Sequence, residues 1–169
     1  SSYSVHDPII IIYVSTLEPY KHHDNVIKAV ADLYNKGIPV LLNIYGSSNS
    51  LADTNRLNAV LERYDPESKI VKYYGDVQHD DIHKKYQQSD IAVFASSCEN
   101  LPMILLEAMA SGLPIVSSNI LPMTDILGEY GVYFDPNKSS SIKPVSYTHL
   151  RAHETLMNLV CRLLLEKSR

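Results

Sequence analysis

Two carboxylates flank the start of a predicted helix in the stretch CENLPMILLE. Glu99 lies in the loop before the helix and Glu107 lies inside it, with seven residues between them. The helix is predicted over residues 102–112, because proline is tolerated in a first helical turn and Gly112 suits the helix end. Helical side chains lean toward the N-terminus of their helix, so Glu107 can share one crevice with the residues at the helix start.

The start of this helix is suited to binding an anion. Free backbone N–H groups point out of a first turn, and the helix dipole favours negative charge there, above all phosphate. Because proline has no N–H group, the expected donors are the next three residues, Met103, Ile104 and Leu105. Glu107 can accept hydrogen bonds from two neighbouring hydroxyls, as on a ribose, and Glu99 can bind sugar hydroxyls or stabilise positive charge at an anomeric carbon. The arrangement predicts a site for a nucleotide, its diphosphate and a sugar.

The elements that must position this site alternate along the chain. Short apolar runs predict buried strands, and amphipathic stretches with apolar residues at i, i+3 and i+4 predict helices. Strands of this kind separated by helices favour an α/β fold with a Rossmann-like, doubly wound parallel sheet. Ligands of such sheets bind at the carboxyl ends of the strands. The predicted strands are 9–14, 38–46, 69–75, 90–96, 113–118 and 131–136, and the predicted helices are 25–37, 51–64, 79–89, 102–112 and 123–129.

Composition and charge exclude several classes of protein. The chain has 169 residues, 45% hydrophobic and 20% charged, which suits one domain with a real core. The net charge is -4 and no Lys/Arg block exists, so nucleic acid is not expected as the main partner. Two cysteines form no disulfide framework and favour a reducing compartment. The apolar run PIIIIYV is too short to span a bilayer, and no signal peptide is recognised before it.

Other polar groups give weaker indications of chemistry. Asp80 and Asp81 are interpreted as acids at a helix start rather than metal ligands. The histidine pairs 22/23 and 79/83 are interpreted as solvated, because no carboxylate or cysteine at a suitable spacing completes a metal site. Cys98 is interpreted as a small loop or core residue, and Asn100 either hydrogen-bonds near the helix start or contacts sugar.

The segment 95–118, ASSCENLPMILLEAMASGLPIVSS, resembles the Glu-x7-Glu motif of GT-B glycosyltransferases of family four, also called glycosyltransferase group 1. Its EAMASGLP core and both glutamates are intact. The stretch IIYVSTLEPYKHHDNVIKAV resembles the loop after the first strand of that family, with Lys21 on the lysine that helps to neutralise the donor diphosphate. Thr16 stands where the family has an arginine, and His22 stands on the following glycine. The segment 71–77, VKYYGDV, resembles the stretch near the nucleotide base.

The resemblance implies that the chain is the C-terminal, donor-binding half of a GT-B fold. Such an enzyme transfers a sugar from a nucleotide-diphosphate donor to an acceptor hydroxyl with retention at the anomeric carbon, in glycan or polysaccharide biosynthesis. No cofactor or metal is expected. The resemblance implies Glu99 as the catalytic residue and the following donor-binding residues: Thr16, Lys21, Gly75, Asp76, Val77, Asn100, Leu101, Met103, Ile104 and Glu107.

The resemblance also implies partners and a location. The acceptor, a glycan or lipid-linked glycan, is expected to bind through an N-terminal domain missing from this chain, so the chain alone is expected to bind donor without transferring sugar. The expected location is the cytoplasm, with docking on the inner face of the membrane open to the full-length protein. Three alternatives remain: a sugar-nucleotide epimerase of the same fold, a non-catalytic nucleotide-binding module, and a flavodoxin-like signalling domain.

The sequence of the last part of the chain indicates an origin different from that of the rest. Residues 145–155, VSYTHLRAHET, resemble the translation of a common transposase sequencing adapter, and residues 159–166, LVCRLLLE, resemble its continuation after an index. We therefore interpret residues 144–169 as a non-native tail and residues 1–143 as the donor domain, truncated at its C-terminus and with an N-terminus that is also expected to be incomplete. The stretch FDPNKSSSI is expected to enter another helix. The tail's pair His149 and His153 and its apolar stripe are excluded from functional interpretation.

Overall fold

A single sheet with helices on both faces forms the described part of the chain, which in this computed structural model comprises residues 7–137 and 142–143. The predicted tail, residues 144–169, lies outside the described residues. The strands are β1 (Ile9–Val14), β2 (Val40–Tyr45), β3 (Val71–Tyr73), β4 (Ile91–Phe94), β5 (Ile115–Ser118), β6 (Gly131–Phe134) and β7 (Ile142–Lys143). The helices are α1 (His23–Asn35), α2 (Leu51–Tyr64), α3 (His79–Gln87), α4 (Met103–Ala110) and α5 (Met123–Leu127), with 3-10 turns at Pro19–Lys21 and Gly128–Tyr130.

The strand order is β3-β2-β1-β4-β5-β6-β7, with β1 to β6 parallel. The chain moves outward from β1 to β3 and then returns to place β4 on the other side of β1. A crevice opens where the strand order reverses, at the carboxyl ends of β1 and β4. The predicted Rossmann-like sheet is confirmed, and the order differs from the 2-1-3-4-5 order of a flavodoxin-like domain, which removes that alternative.

Both faces of the sheet are buried, which explains why the strands are continuously apolar. Ile11 and Tyr13 of β1 pack with Ile27 of α1 and Leu57 of α2 on one face. Ile12 belongs to the core of the other face, together with side chains of α3, α4 and α5: Ile82, Tyr86, Leu105, Ala108, Met123 and Leu127. Burial of these apolar side chains is the main favourable contribution to folding and fixes where the helices begin.

Several predicted boundaries shift for local reasons. The predicted strand 69–75 shortens to β3 because the buried Asp65 carboxylate accepts hydrogen bonds from the N–H groups of Lys69, Ile70 and Val71, at 2.8, 3.0 and 2.8 Å. The expected helix after residue 137 is wrong at residues 142–143, which form β7 antiparallel to β6. Among the helices of the described ranges, none has both the length and the apolar character needed to cross a membrane.

Gly46 allows the ends of β1 and β2 to meet. Its φ is +142°, and a Cβ atom there would lie 1.9 Å from the Ser15 carbonyl oxygen. Its N–H donates to the Gly75 carbonyl at 2.7 Å, which joins the loops after β2 and β3. Only glycine combines this backbone conformation with this close approach.

We expect Gly46→Ala to lower the free energy of unfolding by more than about 3 kcal/mol, because the backbone must move at both Gly46 and Ser15. Gly37→Ala is the matched control, since Gly37 has φ +84° and nothing within 4 Å of its added Cβ. Gly37→Ala should lower the free energy of unfolding by about 1–2 kcal/mol, which is the cost of placing alanine in a left-handed backbone conformation. Urea unfolding measures both, and equal losses would contradict the role of the Ser15 contact.

Candidate functional site

A cleft of about 200 Å³ lies in the crevice at the carboxyl ends of the strands. Five of the predicted donor-binding residues line it: Thr16, Asp76, Val77, Ile104 and Glu107. Seven further lining residues were not predicted as site residues: Val14, Ser15, Tyr45, Gly46, Ser47, His79 and Ile82. Most of these directly follow or end β1 and β2, so the rule that ligands bind at strand ends could have located them without any motif.

The helix start offers fewer donors than predicted. Pro102 precedes α4 rather than opening it, and the Met103 N–H donates to the Leu101 carbonyl at 3.0 Å. The Leu105 N–H donates to the Pro102 carbonyl at 3.0 Å. The expectation of three free donors is therefore corrected. Ile104, which lines the cleft, keeps an N–H group with no acceptor among the described residues.

Glu107 lies between two clefts. Its carboxylate lines the first cleft and also a groove of about 620 Å³ between α3 and α4. Its side chain is 26% exposed, and its Oε1 atom is 3.6 Å from Nδ1 of the solvent-exposed His79. Burial, together with the Glu107 charge, raises the pKa of the Tyr86 hydroxyl above its usual value. Glu107 is thus an accessible acceptor held at the wall of the cleft.

Lys21 and Glu99 form an ion pair across 78 positions of sequence. Their side chains are only 10% and 15% exposed, so each charge depends on the other. The ammonium group also lies 5.1 Å from the ring centre of Tyr20 and 6.0 Å from that of Phe94. The structure brings the predicted diphosphate-binding lysine and the predicted catalytic carboxylate into direct contact.

Backbone bonds hold the two loops that carry this pair. The Ser97 N–H donates to the Tyr20 carbonyl at 2.8 Å, which joins the loop after β4 to the turn after β1. The Ser118 hydroxyl of β5 donates to the Ser96 carbonyl at 2.6 Å, and the Ser96 hydroxyl donates to the Cys98 carbonyl at 3.1 Å. These bonds fix the approach of the loop to Glu99.

Glu18 binds the side chain at the position where the resembled family has an arginine. The Thr16 hydroxyl donates to Glu18 at 2.5 Å, and the Tyr20 hydroxyl donates to the same carboxylate at 2.7 Å. These two hydrogen bonds are the main reason that the pKa of Glu18 lies below its usual value. The Thr16 hydroxyl therefore donates its only proton to the Glu18 carboxylate.

Besides Lys21 and Glu99, four predicted residues do not line the cleft. Asn100, Leu101 and Met103 are exposed, the last two by 65% and 56%. The fourth is Gly75, whose carbonyl accepts the Gly46 N–H. Their predicted contacts with donor remain predictions. In the part of the chain that the structure describes, no group of three His, Cys, Asp or Glu side chains is arranged to hold a metal ion.

A buried histidine lies beneath the Lys21 turn. His23 opens α1 and is 6% exposed, and its Nε2 atom is 2.9 Å from the Ser15 hydroxyl. Its ring stacks on Tyr13 with centres 4.8 Å apart, and the Tyr13 hydroxyl donates to the Lys21 carbonyl at 2.5 Å. Burial, reinforced by the charges of Arg56 and Lys21, lowers the pKa of His23 to about 3. The ring is neutral at physiological pH.

A sequence profile for the family described as glycosyl transferases group 1 matches residues 2–144. The chain belongs to this family. As a member of glycosyl transferases group 1, it is 28% identical over 134 residues to the O-antigen chain mannosyltransferase B of Escherichia coli, covering 78% of this chain and 34% of the relative. It is 24% identical over 155 residues to a D-inositol 3-phosphate glycosyltransferase of Corynebacterium glutamicum, covering 89% and 37%.

Solved structures of glycosyltransferases share the fold. Anabaena HepE, solved in complex with UDP and glucose, superposes with a TM-score of 0.70 at 22% identity, covering 79% of this chain and 36% of that chain. The group 1 chain therefore spans about a third of the length of the proteins it matches.

We expect the Lys21–Glu99 pair to be strongly coupled in stability. Lys21→Met and Glu99→Gln should each lower the free energy of unfolding by about 2 kcal/mol, because each leaves its partner's buried group without its counter-charge or hydrogen bond. The double variant should be more stable than additivity predicts, with a coupling of at least about 1 kcal/mol in urea unfolding.

The exposed pair Lys69–Glu67 is the control for this cycle, since its side chains are 59% and 67% exposed. Its Lys69→Met and Glu67→Gln cycle should show no measurable coupling. Additive effects at Lys21 and Glu99 would show that their contact does not hold the two loops together.

The neutral state of His23 makes stability depend on pH. The ring titrates at 6.5 without perturbation, and burial lowers its pKa to about 3 in the folded chain. Between these values the unfolded state binds more protons, so the free energy of unfolding falls as pH falls below 6.5, by at most about 1.4 kcal/mol per pH unit. The free energy of unfolding of His23→Gln should lack this contribution to the pH dependence.

Urea unfolding between pH 6.5 and pH 4.5 measures the difference between wild type and His23→Gln at each pH. The wild type should lose stability faster than the variant as the pH is lowered. His83→Gln controls for removing a histidine, since His83 is exposed on α3. Parallel pH profiles for wild type and His23→Gln would show that His23 takes up a proton in the folded chain.

Proposed function

We propose that this chain is the donor-binding domain of a retaining glycosyltransferase that transfers sugar from a nucleotide-diphosphate sugar to an acceptor hydroxyl in glycan or polysaccharide biosynthesis. The observations that support this proposal are the cleft at the strand ends, which Ile104 and Glu107 line, and the Lys21–Glu99 ion pair between the segments that follow β1 and β4. Membership of glycosyl transferases group 1 supports the reaction class. The UDP and glucose named in the HepE complex support the chemical class of donor.

Each group has a role that its geometry supports. Glu107, accessible at the wall of the cleft, accepts hydrogen bonds from the ribose hydroxyls. The Ile104 N–H at the start of α4 donates to a phosphate oxygen, where the helix dipole favours negative charge. The Lys21 ammonium turns from Glu99 toward the diphosphate and balances the charge that develops on the leaving group.

Glu99 is then free to act on the sugar. Its carboxylate is bound to Lys21, and Glu99 itself lies in the loop that leads into α4. Once Lys21 interacts with the diphosphate, Glu99 binds sugar hydroxyls and stabilises the positive charge that forms at the anomeric carbon. In this mechanism the charge on the diphosphate is met by Lys21 and the helix dipole, with no metal ion or other cofactor required.

We propose that the acceptor binds through a second domain. Exposed apolar side chains follow β1, β4 and β5 at the same edge of the sheet as the cleft: Tyr20, Leu101, Met103 and Leu121. A rim of this kind suits contact with another domain. The named activity of the E. coli relative, on O-antigen chains, supports a glycan or lipid-linked glycan acceptor, and hence a place at the cytoplasmic face of the membrane for the complete enzyme.

The family match ends at residue 144, at the start of the segment that resembles a translated adapter. This boundary supports the assignment of residues 1–143 to the donor domain and of residues 144–169 to a non-native tail. The proposed function uses no residue of the tail.

We expect the chain to bind a nucleoside diphosphate, and Glu107→Gln to weaken that binding at least tenfold, because an amide replaces a charged acceptor of two hydroxyls. Isothermal titration calorimetry with UDP, GDP and ADP measures this and identifies the base. Glu62→Gln on the exposed face of α2 is the control and should bind as wild type does.

The same titration with the 2′,3′-dideoxynucleotide separates the role of Glu107 from a general loss of charge. Wild type should bind the dideoxynucleotide more weakly than the ordinary nucleotide. Glu107→Gln should bind the two nucleotides with nearly equal affinity, because it has already lost the contact with the ribose hydroxyls. An unchanged affinity of Glu107→Gln for the ordinary nucleotide would contradict the ribose role, and no binding of any of the three nucleotides would contradict the proposed function.

A further inference from the structure

Buried polar atoms beneath the cleft are explained by neither the core nor the proposed chemistry. His23 is 6% exposed, its Nε2 atom meets the Ser15 hydroxyl at 2.9 Å, and its Nδ1 atom has no partner among the described residues. A buried histidine with one unpaired nitrogen is unfavourable compared with an apolar side chain of similar size. The position therefore serves something other than packing.

The protons can be assigned by counting donors and acceptors. The Ser15 hydroxyl has one proton and lies 3.1 Å from the Thr16 carbonyl oxygen. If it donates there, the His23 ring must carry its proton on Nε2 and donate to Ser15, which gives two hydrogen bonds and leaves an unpaired acceptor at Nδ1. If it donates to His23 instead, only one hydrogen bond forms and an Nδ1–H donor is buried without an acceptor. The first arrangement is favoured.

This arrangement joins the ring to both parts of the site. Through Ser15 it reaches a residue that lines the cleft. Through its stack with Tyr13, whose hydroxyl donates to the Lys21 carbonyl, it supports the turn that carries the ammonium group. Ser15 directly follows β1, and the turn that carries Lys21 lies just before α1, which His23 opens.

We propose that His23 is a positioning residue of the donor site, which fixes the Ser15 hydroxyl in the cleft and supports the backbone of the Lys21 turn as a neutral Nε2–H imidazole. This inference rests on the proposed function and adds a residue that does not touch the donor. An apolar side chain fills the same space without orienting Ser15.

The surrounding charges explain why the neutral form suits the site. Lys21, Arg56 and His22 are the groups whose charges act on the ring, and Asp24 and Asp53 line the small space beside it. A cation at His23 would be repelled by the charges of Lys21 and Arg56. A neutral donor holds the geometry and leaves Lys21 as the mobile charge.

The experiment compares two replacements in the 169-residue chain. His23→Gln places an amide N–H near the position of Nε2, whereas His23→Leu has similar volume and no donor. Binding of UDP and GDP by isothermal titration calorimetry should weaken about fivefold to tenfold in His23→Leu and stay within about threefold of wild type in His23→Gln. Ser15→Ala combined with His23→Leu should bind no more weakly than the weaker single variant, because both remove the same hydrogen bond.

Nitrogen-15 NMR of the histidine rings gives a second readout that needs no variant to fold. In the unliganded wild type, His23 should be a single Nε2–H tautomer that does not titrate between pH 8 and pH 5. Saturation with the nucleotide that binds should shift its Nε2 resonance, because Ser15 lies in the cleft. A tautomer mixture, a titrating ring or an Nε2 resonance unmoved by bound nucleotide would overturn the proposal.

Equal nucleotide affinities of wild type and a folded His23→Leu would also overturn it. Failure of the wild type to bind any nucleotide is a different result, since it would remove the proposed function and with it the role of His23 in donor binding. The tautomer measured without ligand would then show a hydrogen bond that is only structural.

Discussion

The reversal of strand order between β1 and β4 is the constraint on which the rest of the site depends. Because the chain leaves β1 toward one edge and returns to the other side of it, the two following loops diverge and a crevice opens between them. Lys21 comes from the turn after β1, and Glu99 and Glu107 come from the loop after β4 and the helix that it enters. The bond from the Ser97 N–H to the Tyr20 carbonyl joins these loops, and Gly46 permits the close approach of β1 and β2.

The electrostatics of the crevice follow from burying one lysine there. A buried ammonium without a partner is strongly disfavoured, and Lys21 is stabilised by Glu99 and by the rings of Tyr20 and Phe94. The carboxylate of Glu99 balances the charge of this ammonium group. In the proposed mechanism, a nucleotide-diphosphate donor brings negative charge to the lysine and so releases the carboxylate next to the sugar. The ion pair would then link donor binding to the availability of Glu99.

Sequence patterns predicted the layers of the fold and the site's main residues, because burial on both faces of the sheet imposes apolar runs and the Glu-x7-Glu segment is local. They did not predict the Lys21–Glu99 contact from physics, since its partners are 78 positions apart and neither has a local pattern. They missed β7, whose two residues carry no periodicity, and the loss of the Met103 donor to a tight turn at Leu101. His23 was interpreted as solvated because a histidine's burial depends on tertiary contacts, here with Tyr13 and Ser15.

The geometry of the crevice is also relevant to the proposal that donor binding and sugar transfer need different parts of the enzyme. The cleft has walls from β1, β2, α3 and α4, and the loop that carries Glu99 into α4 has exposed apolar residues, among them Leu101 and Met103. Water reaching an anomeric carbon with positive charge would capture the sugar before an acceptor hydroxyl did. In the proposed function, a second domain that covers this apolar rim would both exclude water and present the acceptor. Holding the donor and enclosing the reacting carbon are therefore proposed as tasks of two different surfaces.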